Sequence, residues 1–203
     1  MKIVLIGSAG SGKGTYAQLL SERYNLKHIS IGDLLRNEVN KKSIIGLKID
    51  ETLKKGELVD DNIILDLLKD KLKNNFVLDG FPRTIKQARE LEKITKIDSV
   101  FYVTLKDETA IKRLTTRIQC EKCGAIYGNY KKPLKDNICD ICGSKLIKRY
   151  DDNEKSIKTR LKIFHKETKP LIEFYKKKKI LIEINGNNTI DKVFSKIEEY
   201  LNK

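Results

Sequence analysis

The sequence predicts an α/β fold in which helices cover both faces of a parallel β-sheet. Three observations support this prediction. Short apolar segments alternate with amphipathic segments along most of the chain, a glycine-rich loop directly follows the first apolar segment, and a block that holds all four cysteines interrupts the alternation. Strands that alternate with helices are typical of parallel sheets with both faces buried.

Four apolar segments read as buried strands, because they are short, rich in β-branched residues and bounded by turn residues. These segments are Lys2–Ile6 and residues 75–80, 99–105 and 180–184. Seven other segments are predicted to be helical: Lys13–Tyr24 and residues 33–39, 46–56, 61–73, 107–117, 154–178 and 189–201. Gly56 ends the third of these helices. Pro170 lies late in the sixth and can kink it.

The composition is that of a protein with one core. At 203 residues and 39% hydrophobic, the chain can bury a single α/β core with room for insertions. No segment has the roughly 18 apolar residues that a membrane-spanning helix needs. The first residues lack the long apolar run and cleavage site of a signal peptide. We therefore expect a cytoplasmic protein, in which cysteines seldom form structural disulfides.

The net charge of +14 permits nucleic acid, an anionic membrane or a polyanionic small molecule as a partner. Only eight of the 42 basic residues are arginine. Lysine is a solubilising point charge, whereas the planar fork of arginine suits bidentate contacts with phosphate. We therefore read the lysine excess as biased composition, and the lysine run at residues 176–179 as a solvated helix end. The arginines are the candidate phosphate ligands.

The stretch GSAGSGKGT at residues 7–15 follows a predicted strand and opens a predicted helix, which is the context of a phosphate-binding loop. Backbone N–H groups of such a loop and the helix N-terminus bind phosphate oxygens. The residues expected to do so are Gly10, Ser11, Gly12, Lys13, Gly14 and Thr15. Ser or Thr usually follows the lysine directly. Here Gly14 intervenes and Thr15 carries the hydroxyl, which indicates a particular subgroup.

The four cysteines form two C-x2-C pairs separated by fifteen residues, and a glycine follows each pair. They are Cys120, Cys123, Cys139 and Cys142. This spacing predicts a tetrahedral zinc site, and four thiolate ligands leave no open position for chemistry, so the zinc is structural. A redox-active pair is the alternative, but the chain has two pairs and no thioredoxin-like context.

Two further motifs, ISIGDLLR at residues 29–36 and FVLDGFPRTIKQ at residues 76–87, accompany the phosphate-binding loop. Together the three motifs closely resemble the nucleoside monophosphate kinases, and within them the adenylate kinase family. The Asp-Gly-Phe-Pro-Arg sequence at residues 79–83 is highly specific to that superfamily. The resemblance runs from about Lys2 to the final helix.

The resemblance implies a P-loop fold with a five-stranded parallel sheet flanked by helices, a helical acceptor-binding insertion and a small zinc-ribbon lid. The core would comprise residues 1–29, 60–116 and 153–203, the insertion that binds the nucleoside monophosphate residues 30–59, and the lid residues 117–152. In that family the lid closes over the donor nucleotide. Because about 35 residues bury little apolar surface, zinc can supply the missing stability of the lid.

The resemblance also implies reversible, Mg-dependent phosphoryl transfer from ATP to AMP by a monomer. The implied catalytic residues are Lys13, Arg83, Arg117, Arg149 and Arg160. The donor would also contact Ile126, Tyr127 and Asn188, and Arg113 would stack on its base. Asp79 would hold Mg²⁺ through water, although a capping role is the competing interpretation. Asp151 and Asp152 either orient neighbouring arginines or cap the next helix.

The acceptor AMP would contact a larger set, in which Arg36 and Arg83 bind its phosphate and Gln87 pairs with its base. The full set is Ile31, Arg36, Glu57, Leu58, Val59, Gly80, Phe81, Pro82, Arg83, Gln87, Arg149 and Arg160. The chain departs from the family in having Ile31 where Thr is usual and Ala9 where Pro is common. Its long lid and Thr84 favour AMP. A kinase of another nucleoside monophosphate, or one using GTP, remains the alternative.

The attacking group in this chemistry is a phosphate oxygen that is already ionised, so no general base is needed. His28 and His165 are accordingly expected to be structural or surface residues. A nucleic-acid-binding zinc-ribbon protein is the alternative from another class. The cysteine block has few arginines, and its aromatic pair Tyr127 and Tyr130, expected to be exposed, does not form the pattern of a stacking platform. We therefore expect neither nucleic acid nor a membrane as partner.

Overall fold

Five strands form one parallel sheet at the centre of the computed structural model, which describes residues 1–202. In sheet order they are β2 (Lys27–Ser30), β3 (Phe76–Asp79), β1 (Lys2–Ile6), β4 (Ser99–Thr104) and β8 (Leu181–Asn185). Val4 of β1 lies opposite Leu78 on one side and Val100 on the other, and all three are fully buried. The predicted five-stranded parallel sheet is confirmed.

Nine helices in the described chain surround this sheet and the lid. They are α1 (Lys13–Tyr24), α2 (Ile31–Asn40), α3 (Ile44–Lys55), α4 (Asp61–Leu68), α5 (Ile85–Ile94), α6 (Asp107–Thr115), α7 (Glu154–Ile163), α8 (Pro170–Lys177) and α9 (Ile190–Leu201). Successive strand residues point to opposite faces. Val4 therefore packs with α4, α5 and α8, whereas Leu5 packs with α1 and α9.

Local capping residues explain where most of these helices begin. A Ser, Thr, Asp or Asn side chain accepts a hydrogen bond from a backbone N–H of the first turn in six helices, through Ser30, Ser43, Asp60, Thr84, Asn153 and Thr189. Each such cap is worth about 1 kcal/mol. Gly56 follows α3 in the left-handed region at φ 74°, so the prediction that it ends this helix is confirmed.

Helices α2 and α3 form a hairpin beside the carboxyl end of β2. A Cβ atom on Gly46 would lie 2.1 Å from the carbonyl oxygen of Glu38, so only glycine permits this approach of α3 to the end of α2. The hairpin places Arg36 of α2 at the mouth of the cleft above the sheet. The short helices predicted here are both present.

The cysteine block folds into a separate small sheet between α6 and α7. Strand β5 (Ile118–Cys120) pairs antiparallel with β6 (Ile126–Tyr127) on one side and β7 (Leu146–Ile147) on the other. Residues 117–152, called the lid here, have a core of five buried residues: Cys120, Ala125, Tyr127, Cys139 and Leu146. The expectation that Tyr127 is exposed is wrong. It is 2% exposed because β6 turns it towards the cysteines, whereas Tyr130 is 58% exposed.

Two predicted helices differ from the structure. The helix predicted at residues 61–73 ends at Leu68, where the Lys71 N–H donates to the Leu68 carbonyl and turns the chain. The helix predicted at 154–178 contains a π-helical turn, Phe164–Thr168, between α7 and α8. In it the Lys169 N–H donates to the carbonyl of Phe164, five residues back. Pro170 lacks an N–H and its ring clashes with a normal α-turn, which the wider turn relieves.

Two elements were missing from the segment-by-segment prediction, β2 and α5. Strand β2 has the letters KHIS, with only Ile29 buried, so its apolar signal is short. Helix α5 carries a recognisable start signal, because Thr84 and Gln87 have the Thr-x-x-Gln spacing of a capping box. Within residues 1–202, no helix combines the length and apolarity needed to cross a membrane.

Candidate active site

The glycine-rich loop joins β1 to α1 and forms a cradle of backbone groups. Gly10 and Gly12 have φ values of 83° and 97°, a backbone region that residues other than glycine rarely adopt. The Lys13 ammonium folds back across the loop and donates to the carbonyl oxygens of Gly7 and Ser8, both at 2.8 Å. The loop and the start of α1 line the cleft, where a phosphate-binding loop must lie to bind phosphate oxygens.

Lys13 lies in a strongly cationic environment. Burial lowers the pKa of Lys13 from 10.5 to about 8, Asp79 opposes this change, and Arg83, Arg117 and Arg160 add to it. The positive charges around the loop therefore exceed the negative charges that the protein supplies. Such a site favours a polyanionic ligand.

Arg83 is held by the turn after β3. Its backbone N–H donates to the side-chain oxygen of Gln87 at 2.7 Å, and its side-chain Nε donates to the Gly80 carbonyl at 3.0 Å. The Arg83 carbonyl accepts a hydrogen bond from the Thr168 hydroxyl at 2.9 Å. Burial lowers the pKa of Arg83, with Asp79 opposing. These contacts fix the backbone of Arg83 and leave its terminal nitrogens for the cleft.

Asp152 organises the arginines at the base of the lid. Its carboxylate accepts from Arg117 at 2.7 and 2.6 Å and from Arg160 at 2.8 Å. Burial opposes ionisation of Asp152, but the hydrogen bonds and charges of Arg117 and Arg160 lower its pKa. Asn153, one residue later, caps α7. Of the two interpretations left open for the aspartates, orientation of arginines is therefore the one observed for Asp152.

Asp33 and Asp151 form a second group with arginines from α2 and the lid. Arg36 lies 2.5 Å from Asp33 and 3.3 Å from Asp151, and Arg149 lies 3.8 Å from Asp33. Burial opposes ionisation of Asp33, but Arg36 and then Arg149 lower its pKa to about 2. Burial lowers the pKa of Arg149 to about 9, with repulsion from Arg117 and Arg36 adding to the effect. Asp33 belongs to the ISIGDLLR motif, but the sequence analysis assigned it no role.

Arg113 joins the phosphate-binding loop to the lid. Its two terminal nitrogens donate to the carbonyl oxygens of Gly10 at 3.4 Å and Gly186 at 3.1 Å. The Tyr130 ring covers its guanidinium with a separation of 4.2 Å. Its Nε is buried and has no hydrogen-bond partner among residues 1–202. Ile126 of the lid also contacts the loop, 3.4 Å from where a Cβ on Gly14 would lie. The lid is therefore closed over the loop.

These groups line one cavity of about 860 Å³, between the phosphate-binding loop, the α2–α3 hairpin and the lid. The predicted nucleotide-binding residues line it with three exceptions in the described chain, Ser11, Phe81 and Gln87. All three are buried below the cavity wall. The cavity is large enough for nucleotides, and its cations come from the phosphate-binding loop, α2, the turn after β3, α6, the lid and α7.

Comparisons with known proteins agree with this geometry. The sequence profile described as adenylate kinase matches residues 5–180. The adenylate kinase of Caldicellulosiruptor saccharolyticus is 43% identical over 201 residues, which cover 94% of each chain. That of Methanocella arvoryzae is 43% identical over 214 aligned positions, covering 100% of this chain and 99% of its own. That of Hydrogenobaculum sp. is 44% identical over 211 aligned positions, covering 99% of this chain and 100% of its own.

The chain belongs to the adenylate kinase family. As a member of that family it is a phosphotransferase of the nucleoside monophosphate kinase class. The resemblance stated from the three motifs is confirmed.

In this adenylate kinase fold Gln87 is enclosed by protein groups. It is 1% exposed, and its amide nitrogen donates to Asp61 at 2.7 Å while its oxygen accepts from the Arg83 N–H. The acceptor-base contact stays a prediction for Gln87. The structure gives this side chain a role in fixing the Arg83 turn.

The four cysteines of this adenylate kinase lie together in the lid, with all four sulfur atoms within 4.8 Å of one another. Zinc–sulfur bonds of 2.3 Å in a tetrahedron place sulfur atoms about 3.8 Å apart. Two of the sulfur pairs are Cys120 with Cys142 at 3.4 Å and Cys123 with Cys139 at 3.5 Å. The cluster therefore fits one tetrahedral zinc ion.

The two histidines take no part in these clusters. His165 pairs with Asp107 at 2.8 Å on the surface. His28 of β2 is half-buried and reaches the edge of the cavity, where its Nε2 has no hydrogen-bond partner in the described part of the chain.

Proposed function

We propose that this protein transfers a phosphoryl group reversibly from Mg-ATP to AMP, giving two ADP. One observation carries the proposal: six cationic side chains converge on one cavity between the phosphate-binding loop and the α2–α3 hairpin. They are Lys13, Arg36, Arg83, Arg117, Arg149 and Arg160. Two nucleotides bring the negative charge that such a site lacks.

The cations would act mainly by positioning and by charge stabilisation, because the attacking phosphate oxygen is already ionised. Lys13 would bind donor phosphates beside the loop amides. Arg36 and Arg83, on the side of the α2–α3 hairpin and β3, would bind the acceptor phosphate. Arg117, Arg149 and Arg160 would neutralise the group in transfer, with Asp152 fixing two of them. The lid excludes water, which would otherwise accept the phosphoryl group.

The residues around the loop suit magnesium. Asp79 ends β3, and one of its carboxylate oxygens lies 3.5 Å from where a Cβ on Gly14 would stand. Asp79 and Thr15 both line the cavity at this loop, and their side chains carry the oxygen ligands that Mg²⁺ prefers. We propose that Asp79 holds the ion through water. Bound Mg²⁺ would neutralise phosphate charge.

The cysteine cluster is proposed to hold a structural zinc ion. Four thiolates satisfy the metal completely, so it would stabilise the lid without entering the reaction. The lid core contains only five buried residues, which is too few to fold the lid through apolar burial alone.

We propose AMP as acceptor and ATP as donor, with the protein acting as a cytoplasmic monomer on these small molecules alone. Ile31 is buried at the start of α2 on the acceptor side, where it provides an apolar surface for a base. Steady-state assays with AMP, UMP, CMP and GMP, each with ATP and with GTP, test the choice of both nucleotides. A clear preference for an acceptor other than AMP would overturn it.

A further inference from the structure

Tyr127 of β6 reaches into the cysteine cluster of the lid. Its side chain and Cys139 are each 2% exposed, and both belong to the lid core. The Tyr127 hydroxyl oxygen lies 3.5 Å from the Cys139 sulfur and 2.9 Å from the backbone nitrogen of Asp140. A role in donor binding accounts for neither contact.

The backbone contact settles the direction of one hydrogen bond, and zinc ligation of Cys139 would settle the direction of the other. The Asp140 N–H can only donate, so the Tyr127 hydroxyl oxygen accepts this bond. The hydroxyl proton is then free to point at the Cys139 sulfur. A zinc-bound Cys139 is a thiolate without a proton, so its sulfur, rather than the phenol, would be the acceptor in the second bond.

A buried thiolate needs such donors. Removing a charge from water is costly unless hydrogen bonds replace the lost solvation. Tyr127 would supply such a donor from strand β6, and side chains around a metal that bond to its ligands commonly strengthen metal binding.

We propose that the Tyr127 hydroxyl is an outer-sphere partner of the zinc site, which holds the Cys139 thiolate in place and thereby retains zinc in the lid. This inference rests on the proposed zinc site. It assigns to the Tyr127 side chain a function in metal retention, separate from the contact with ATP expected from the sequence.

The position of Tyr127 also links the metal to the nucleotide loop. Tyr127 and Ile126 are neighbours on β6, so their side chains point to opposite faces. Ile126 rests on the phosphate-binding loop near Gly14, while Tyr127 bonds to Cys139 and Asp140. Strand β6 therefore connects the second cysteine pair to the part of the lid that covers the loop.

The test compares zinc release from the zinc-loaded full-length protein and two variants. Tyr127→Phe removes only the hydroxyl, and Tyr130→Phe is the matched control in the same lid, because Tyr130 is 58% exposed and its ring packs on Arg113. Each protein is mixed with excess 4-(2-pyridylazo)resorcinol, and the coloured zinc complex is followed over time. We expect about ten-fold faster release from Tyr127→Phe and an unchanged rate from Tyr130→Phe.

Cobalt substitution adds a readout that a purely structural role of Tyr127 would not move. Loss of a hydrogen bond to the thiolate should shift the sulfur-to-cobalt charge-transfer band to lower energy in Tyr127→Phe. Equal release rates for wild type and Tyr127→Phe with no band shift would overturn the inference alone. Equal acceleration in both variants would also overturn it. A wild-type protein that retains no zinc would overturn the zinc site and the inference together.

Discussion

Lys13 illustrates how single residues in this site are held in an unfavourable electrostatic state until a ligand binds. It is surrounded by arginines, and its pKa of about 8 lies below the ordinary 10.5 because burial disfavours its charge. Phosphates would reverse that penalty by supplying the missing anions. The same residue therefore links nucleotide binding to stability.

The depressed pKa of Lys13 predicts a pH-dependent stability. Between about pH 8 and 10.5 the unfolded chain keeps a proton that the folded protein releases, so the Lys13 contribution to the free energy of unfolding rises with pH across this window. Lys13→Met removes the buried charge. We expect the variant to be more stable than wild type at pH 7.5 and this advantage to shrink by pH 9.5, as measured by urea denaturation. A difference that is independent of pH would contradict the prediction.

Motifs identified the cationic residues, but their anionic partners were harder to predict. Lys13, Arg36 and Arg83 lie within or beside recognisable motifs. Asp33 pairs with two arginines that are distant from each other in sequence, and no spacing rule reveals this. For Asp152 the sequence left two roles open, because Asp is also a good helix cap. Only the position of Asn153 at the helix start separates them.

At the scale of elements, the π-helical turn before Pro170 places Thr168 against the Arg83 turn. Thr168 is 6% exposed, and its hydroxyl donates to the Arg83 carbonyl at 2.9 Å. Helical periodicity predicted this whole segment but could not reveal the wider turn, which changes the direction of a side chain without changing the apolar pattern. The segment thereby acts as a support for a proposed catalytic arginine.

Replacing Thr168 tests this support. Thr168→Val keeps the shape but removes the hydroxyl, so the Arg83 turn loses one of its three anchoring hydrogen bonds. A lost hydrogen bond is worth about 1 kcal/mol, so we expect kcat to fall about five-fold, and Thr168→Ser to restore it. Thr159→Val is the control, because the Thr159 hydroxyl bonds only within its own helix, to Lys155. Equal turnover for Thr168→Val and wild type would contradict the assignment.

At the scale of the whole molecule, apolar burial stabilises the core, whereas the lid would depend on the proposed zinc ion. The sheet is covered by two large apolar clusters, whereas the lid core has five buried residues, two of them cysteines. The alternation of strands and helices predicted the core, because apolar burial determines how the helices cover the sheet. The closed position of the lid depends on contacts such as Tyr130 with Arg113, which no local pattern encodes.

Zinc removal should therefore weaken the lid before it affects the acceptor side. Cys139→Ala removes one thiolate, and we expect zinc content to fall and the melting temperature to drop by about 5 °C or more. Calorimetry and elemental analysis measure both, and wild type treated with a chelator should match the variant. The preference among acceptor nucleotides should stay the same. An unchanged melting profile would argue against a structural metal.

The central claim is phosphoryl transfer between ATP and AMP in the cationic cavity, and Lys13→Ala tests it most directly. The measurement is the initial rate of ADP formation from ATP, AMP and Mg²⁺ by wild type and variant, with melting temperature as the check on folding. We predict rapid turnover by wild type and a loss of at least about a thousand-fold in Lys13→Ala, with the fold intact. Near-normal turnover by Lys13→Ala, or no ADP from wild type, would contradict the account.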